Sequence, residues 1–362
     1  MRRRTFFTVS AALAGAGLIA GCAPDVPGQN KQDTNLTLLR IAPSSAMAAH
    51  WAQFAVAQEQ GYFADAGIRI ELQFPGGSAD VMQALATNRV DIGGPTPEAA
   101  LSALANGQKA RMFYNWSREA VQSLAVLEAS PVQSFADMRG KKIGVQTISS
   151  GAKLLAEAAL RDADIDPANV TFVAVGVGVA AMDALNRAAV DALMLWDTEY
   201  VLMEESGTKL RTILPDSYKQ LFSTGFVATD ESIASKKDAL AGFGKAWAEA
   251  TVWATANPEE AIKTMWKLYP QTKTSDDPAL LTKQVAIFKA RNEKAIAGDP
   301  AGTRSFGKFT PESAKAWTEF AAEYGITKTK VNPDDFYTNE FVEKFNDFNV
   351  DEITAKAKSA KS

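Results

Sequence analysis

Cysteine and histidine are almost missing. Cys22 is the single cysteine and His50 the single histidine in 362 residues. The chain beyond Cys22 therefore has no disulfide and no thiol chemistry, and a packed core must hold it together. Cys/His metal spacing is excluded, and no metal or cofactor is expected. No GxxxxGK[ST] phosphate loop occurs, and no convincing Ser/His/Asp order is present. A basic surplus is missing too. The net charge is −4, or −7 once Arg2, Arg3 and Arg4 are subtracted. An acidic body lacks the footprint that phosphate backbones require, so nucleic acid is not an expected partner. Long apolar runs are also scarce. The longest, residues 6–20, is too short for a comfortable membrane span.

That run follows the three arginines and ends in Ile19-Ala20-Gly21-Cys22. Small residues directly before a cysteine resemble the lipobox of bacterial lipoproteins. The resemblance implies cleavage before Cys22 and its lipidation, with residues 1–21 as signal peptide. Arg3-Arg4-Thr5-Phe6-Phe7 is similar to a twin-arginine export signal. Residues 22–35 are polar, with Pro and Gly and no apolar period, as expected for a flexible tether.

Strand and helix signals then alternate. Ile68, Ile70, Leu72 and Phe74 follow a period of two, a strand. Met47, Trp51 and Phe54 recur at helical spacing. Further strands are expected near residues 36–41, 90–93, 111–115, 142–145, 170–175, 192–195 and 225–229. Alternating strands and helices imply βαβ units and parallel-rich sheets. From about residue 232 the chain becomes mostly helical, with Pro258, Pro278 and Pro311 near helix starts.

Two decapeptides one hundred residues apart match. Residues 82–91 read MQALATNRVD and residues 182–191 read MDALNRAAVD. Each occupies a helix, a tight corner and the entry to a strand. At the same offset Gly76-Gly77-Ser78 falls on Gly176-Val177-Gly178, and Thr96 on Trp196. Two α/β lobes of one plan account for this. Lobe 1 is expected over 36–126 and 224–350, lobe 2 over 127–223, with a tail at 351–362.

Ligands of open α/β sheets bind beyond the carboxyl ends of the strands. From lobe 1 this rule selects Ser44, Ser45, Gly77, Ser78, Pro95, Thr96 and Trp116. From lobe 2 it selects Ser149, Ser150, Gly151, Gly176, Trp196 and Asp197. Gly76-Gly77-Ser78 and Ser149-Ser150-Gly151 open helices, whose free N–H groups suit an anion as well as a serine cap. Trp116 and Trp196 sandwich a planar ligand body or belong to the core. Asp197 accepts from an amine or caps its own helix. His50, on the first helix, is a structural or contact residue rather than a general base. No arginine stands clearly after a strand, which favours a monoanion or a neutral heteroaromatic over a dianion.

GYFADAGI (61–68), GGSADVMQAL (76–85), DMRGKKIGVQTISSG (137–151) and YTNEFVEKFNDF (337–348) resemble solute-binding proteins of ABC importers. The branch takes up sulfonates, taurine, nitrate and thiamin-pyrimidine precursors. The resemblance implies a two-lobed periplasmic-binding-protein fold of type II with a two-crossover hinge. It also implies a non-enzymatic monomer that captures a small organic solute (sulfonate, taurine, nitrate or aromatic carboxylate). An ABC permease with its ATPase would be its partner, and periplasm or cell envelope its location, anchored by lipid at Cys22. A thiamin-pyrimidine precursor is the alternative ligand. A pyrimidine synthase of the wider family is the rival reading, but that enzyme relies on a cysteine-rich motif.

Overall fold

The computed structural model describes residues 35–296 and 305–360. The expected signal peptide, Cys22 and nearly all of the tether lie outside the described residues.

Among the described residues ten strands form two five-stranded sheets. They are β1 (Thr37–Pro43), β2 (Ile68–Leu72), β3 (Ile92–Gly94), β4 (Ala110–Asn115), β5 (Gln122–Leu127), β6 (Lys142–Val145), β7 (Thr171–Ala174), β8 (Ala192–Trp196), β9 (Leu210–Ile213) and β10 (Gly225–Thr229). The strand orders are β2-β1-β3-β10-β4 and β7-β6-β8-β5-β9. β1 lies parallel to β2 and β3, and β6 parallel to β7 and β8. β10 and β5 run antiparallel to both of their neighbours. The orders correspond strand for strand, with β5 in the slot of β10. Each sheet thus receives its antiparallel strand from chain that has just left the other. Residues 116–121 and 214–224 make these two passages.

The first passage precedes the expected boundary at 126–127. Residues 122–127 (QSLAVL) are a strand of the second sheet, buried along both faces, so no alternation marks them. The expected tail at 351–362 is also corrected. It contains most of the helix Val350–Ser359, whose Ile353 and Ala357 share one face and are buried against the first lobe's core.

The decapeptide repeat is structural. Asn88 and Ala188 both take a left-handed φ of 54°, ending the two helices identically. Leu85 and Leu185 are buried beneath them. Asp91 donates its N–H to the Arg40 carbonyl at 2.8 Å, and its carboxylate accepts the Arg40 N–H at 2.8 Å. Asp191 repeats the exchange with Lys142, at 2.9 and 2.8 Å. Each aspartate thus ties the helix-to-strand corner to the neighbouring parallel strand, β1 or β6. Burial pushes the Asp91 carboxyl up, but hydrogen bonds from Lys236 and Arg40 outweigh this and hold it below its ordinary value.

The first lobe's core gathers Trp51, Phe54, Phe226, Phe243 and Trp247 beneath the helices Ala52–Glu59 and Lys237–Ala256. A second cluster runs through both lobes, joining Leu101 and Met112 to Leu155, Tyr218 and Trp317. Within the long helix, a β-carbon at Gly244 would stand 2.1 Å from the Phe345 ring. Alanine gains about 1 kcal/mol of helix propensity there. Overpacking costs about 1–3 kcal/mol, and Phe345 is wedged among Phe113, Tyr114 and Phe341. Gly244→Ala is therefore expected to lower the urea midpoint; a raised midpoint would show that the ring yields freely.

Candidate functional site

Beyond the carboxyl ends of the parallel strands the sheets face each other across a narrow cleft with a free volume of about 30 Å³. Six of the expected residues line it: Ser44, Ser45, Ser78, Thr96, Ser150 and Trp196. Each follows a strand or opens a helix, which is why strand-end reasoning finds them. Ser78 Oγ lies 3.2 Å from both the N–H and the hydroxyl of Thr96, tying two helix starts of the first lobe together.

The other expected residues have different surroundings. Gly77 and Ser149 meet where the lobes touch. The Ala79 N–H donates to the Ser149 carbonyl at 3.3 Å, and Ser149 donates to Asp80 at 2.7 Å. Gly151 lies against the other lobe so closely that a β-carbon would fall 1.8 Å from Thr96 Oγ1. Pro95 is buried beside Thr96. Gly176 turns the chain after β7 with φ 72° and does not line the cleft. Trp116 is 2% exposed and stacks on Trp51 at 4.5 Å, so it stands in the wall. Asp197 is engaged by Arg291 at 2.6 Å and by Lys294 at 3.5 Å, leaving little of it for a ligand amine.

Arg291 is the main residue that sequence reasoning missed. It comes from the helix Ala279–Ile296, which packs on the first lobe and also on the second lobe's helix Asp197–Glu205. Its guanidinium lies 5.5 Å from the Trp116 ring centre and borders the cleft. Gln122, Gln146 and Thr224 also line the cleft without having been foreseen. Gln122 sits at the start of β5 and Thr224 just before β10, strand beginnings that the strand-end rule passes over.

His50 links the lobes. Trp51 Nε1 donates to Ser45 Oγ at 2.9 Å, Ser45 Oγ lies 3.2 Å from His50 Nε2, and His50 Nδ1 lies 3.4 Å from Thr198 Oγ1. Trp51 uses one of the two acceptor sites of Ser45 Oγ, so either ring tautomer of His50 completes the chain. Burial, then the nearby Arg291 charge, push the imidazole pKa well below its ordinary value. His50 is therefore neutral across physiological pH. The Trp196 indole N–H and both carboxylate oxygens of Glu98 are buried without a hydrogen-bond partner among the described residues.

Comparisons with known proteins agree with this architecture. The family model described as NMT1/THI5 like matches residues 48–261, more than half of the chain. A protein of Brucella abortus (strain 2308) named as a binding protein is 25% identical over 94% of this chain and 99% of its own. The 4-amino-5-hydroxymethyl-2-methylpyrimidine phosphate synthase of Legionella pneumophila is 23% identical over 64% of this chain and 74% of its own. Among solved structures, the periplasmic aliphatic sulphonate binding protein SsuA of Escherichia coli superposes with a TM-score of 0.60. It is 18% identical, covering 83% of this chain and 92% of that one. The fold is thus that of the periplasmic binding proteins, and the chain belongs to the NMT1/THI5-like family.

Proposed function

We propose that the protein captures a small organic solute bearing one compact anionic group and passes it, unchanged, to an ABC permease. The observation that carries this reading is the pair of helix starts that face one cleft. The helices Ser78–Ala86 and Gly151–Asp162 point their first turns toward it from opposite lobes, and neither is capped by its N-cap side chain. The positive ends of two helices facing one cleft favour a sulfonate, carboxylate or nitrate. Arg291 is already balanced by Asp197 and His50 is neutral, which supports a monoanion. Trp196 offers its ring and an unpaired indole N–H to the rest of the solute. Lipid at Cys22 would hold the binder at the cell envelope, near a permease, after export by the general or the twin-arginine route.

A thermal-shift screen with taurine, alkanesulfonates, nitrate, aromatic carboxylates and aminopyrimidines tests the proposal. A true ligand at one hundred times its Kd adds about 2.7 kcal/mol of stability. If none of the anions raises the midpoint, this ligand class is rejected. Trp196→Ala is expected to weaken calorimetric affinity tenfold or more without unfolding the protein. Unchanged affinity would remove Trp196 from the site.

The relatives named as pyrimidine phosphate synthases favour a second reading, an enzyme acting at the same cleft. Among the described residues the Ser45–His50 contact is its one suggestive pair. Denaturing loaded protein and weighing what it releases separates the two, since an enzyme returns a different molecule.

A further inference from the structure

Glu98 has no place in a binding site for anions, yet it lies at the point where the lobes meet. It is the second residue of the helix Pro97–Ala105 and is 1% exposed. Neither of its carboxylate oxygens makes a hydrogen bond of standard geometry among the described residues, although its own backbone N–H and the Thr96 hydroxyl are near polar neighbours. What seals it comes from the other lobe. A β-carbon on Gly151 would stand 2.7 Å from Glu98 Oε1, so the start of the helix Gly151–Asp162 closes directly over the carboxyl.

Among the described residues no cation answers it. The helices Ser78–Ala86, Gly151–Asp162 and Pro311–Glu323 pack on the helix that carries Glu98. Their ionisable groups are engaged elsewhere or exposed. Asp80 accepts from Ser149, and Lys153 pairs with Glu157 at 2.5 Å. Arg161 donates to the Tyr324 carbonyl, Asp162 accepts from Ser217, and Lys315 lies near Glu319. Glu312 and Glu323 lie on the outer helix, away from the cleft lining. Tyr218 is the remaining neighbour. Burial first, then the Glu98 charge, raise its hydroxyl, so it is a neutral phenol that already donates to the Leu155 carbonyl. An unpaired carboxylate in such a place is strongly disfavoured, whereas the protonated acid is tolerated.

We propose that closing the lobes takes up a proton at Glu98, so that solute capture is proton-coupled, tight in acid and weaker as the surroundings turn alkaline. This rests on the capture between lobes proposed above. The direction follows from the two states. Burial raises the closed-form carboxyl from 4.5 to about 7, while separation of the lobes returns it to water and its ordinary value. Below the open-form value both forms hold the proton and pH has no effect. Between the two values closure binds a proton, and affinity falls as pH rises. Above the closed-form value both forms are charged and the penalty is complete.

Two measurements on the full chain, wild type and Glu98→Gln, test it. The first is the urea midpoint across pH 5 to 8 in saturating methanesulfonate, which holds the lobes closed. The midpoint of the wild type should fall relative to that of the variant as pH rises through this range, because the native acid holds its proton longer than the unfolded one. The second is calorimetric titration with methanesulfonate at pH 5.5 and 7.5. Wild-type affinity should drop more than about tenfold, and Glu98→Gln should show no such drop. Gly151→Ala, which bars closure over Glu98, should flatten the wild-type profile in the same way, and it serves if Glu98→Gln fails to fold. Parallel pH profiles of wild type and variant in both measurements overturn the proposal. If methanesulfonate does not bind, the anion reading it probes fails by itself, and both profiles are taken with the taurine, nitrate, aromatic carboxylate or aminopyrimidine that the thermal-shift screen selects: divergence upholds the proton site and parallel curves reject it.

Discussion

Replacing Arg291 by methionine is expected to destabilise the protein by about 3 kcal/mol, at the low end for breaking a buried ion pair. The side chain is 4% exposed and its partner Asp197 11%. Methionine keeps most of the stem volume, so the loss reports the uncompensated carboxylate rather than a cavity. Lys294, at 3.5 Å, is what keeps the loss from being larger. The pair also joins two parts of the molecule, because Arg291 is carried by a helix seated on the first lobe and Asp197 opens a helix of the second. The check is a double-mutant cycle by urea denaturation with Asp197→Asn. Removing both charges should recover a substantial part of the loss, since no lone buried charge remains. Strictly additive losses would show that the two groups are not energetically coupled.

Gly151→Ala is expected to weaken solute binding by about ten- to a hundredfold while leaving the fold intact. The added methyl would overlap Thr96 Oγ1 at 1.8 Å and crowd Glu98 Oε1 at 2.7 Å, both on the opposite lobe. Overpacking of this kind costs about 1–3 kcal/mol. Here it falls on the closed arrangement alone, and each 1.4 kcal/mol is about tenfold in affinity. In an open molecule the same methyl faces water and is harmless in a helix. The unfolding midpoint without solute should therefore change much less than calorimetric affinity does. Thr96→Ala added to Gly151→Ala removes the nearest clash and should restore part of the affinity. A variant that unfolds easily but binds normally would mean that the lobes need not meet here.

The plan of two lobes was legible because the sequence repeats a corner, not a site. Leu85 and Leu185 pack beneath it, and Asp91 and Asp191 tie it to β1 and β6 by backbone exchange. These roles are local, and local patterns show in sequence. The antiparallel strands β5 and β9 were missed for the converse reason. QSLAVL is buried on both faces, and LRTI is too short to set a period. The cleft was half legible. Strand-end geometry found Ser44, Ser45, Ser78, Thr96, Ser150 and Trp196, but it also selected Trp116, which the helical C-terminal part covers. Arg291 had no local signal at all, since its partner lies 94 residues away and only the tertiary fold unites them. Glu98 was hidden differently. A glutamate after proline in a first helical turn usually marks a solvated helix start, favoured by the dipole. Only the approach of Gly151 from the other lobe makes it a buried acid.

The most direct measurement of the central claim is native mass spectrometry of the protein with the best solute from the thermal-shift screen, followed by denaturation and weighing of what is released. The expected result is one solute per chain, released at its original mass, with the bound fraction sharply reduced in Gly151→Ala. A released molecule of altered mass, or equal loading of the wild type and Gly151→Ala, would contradict capture of an unchanged solute between closing lobes.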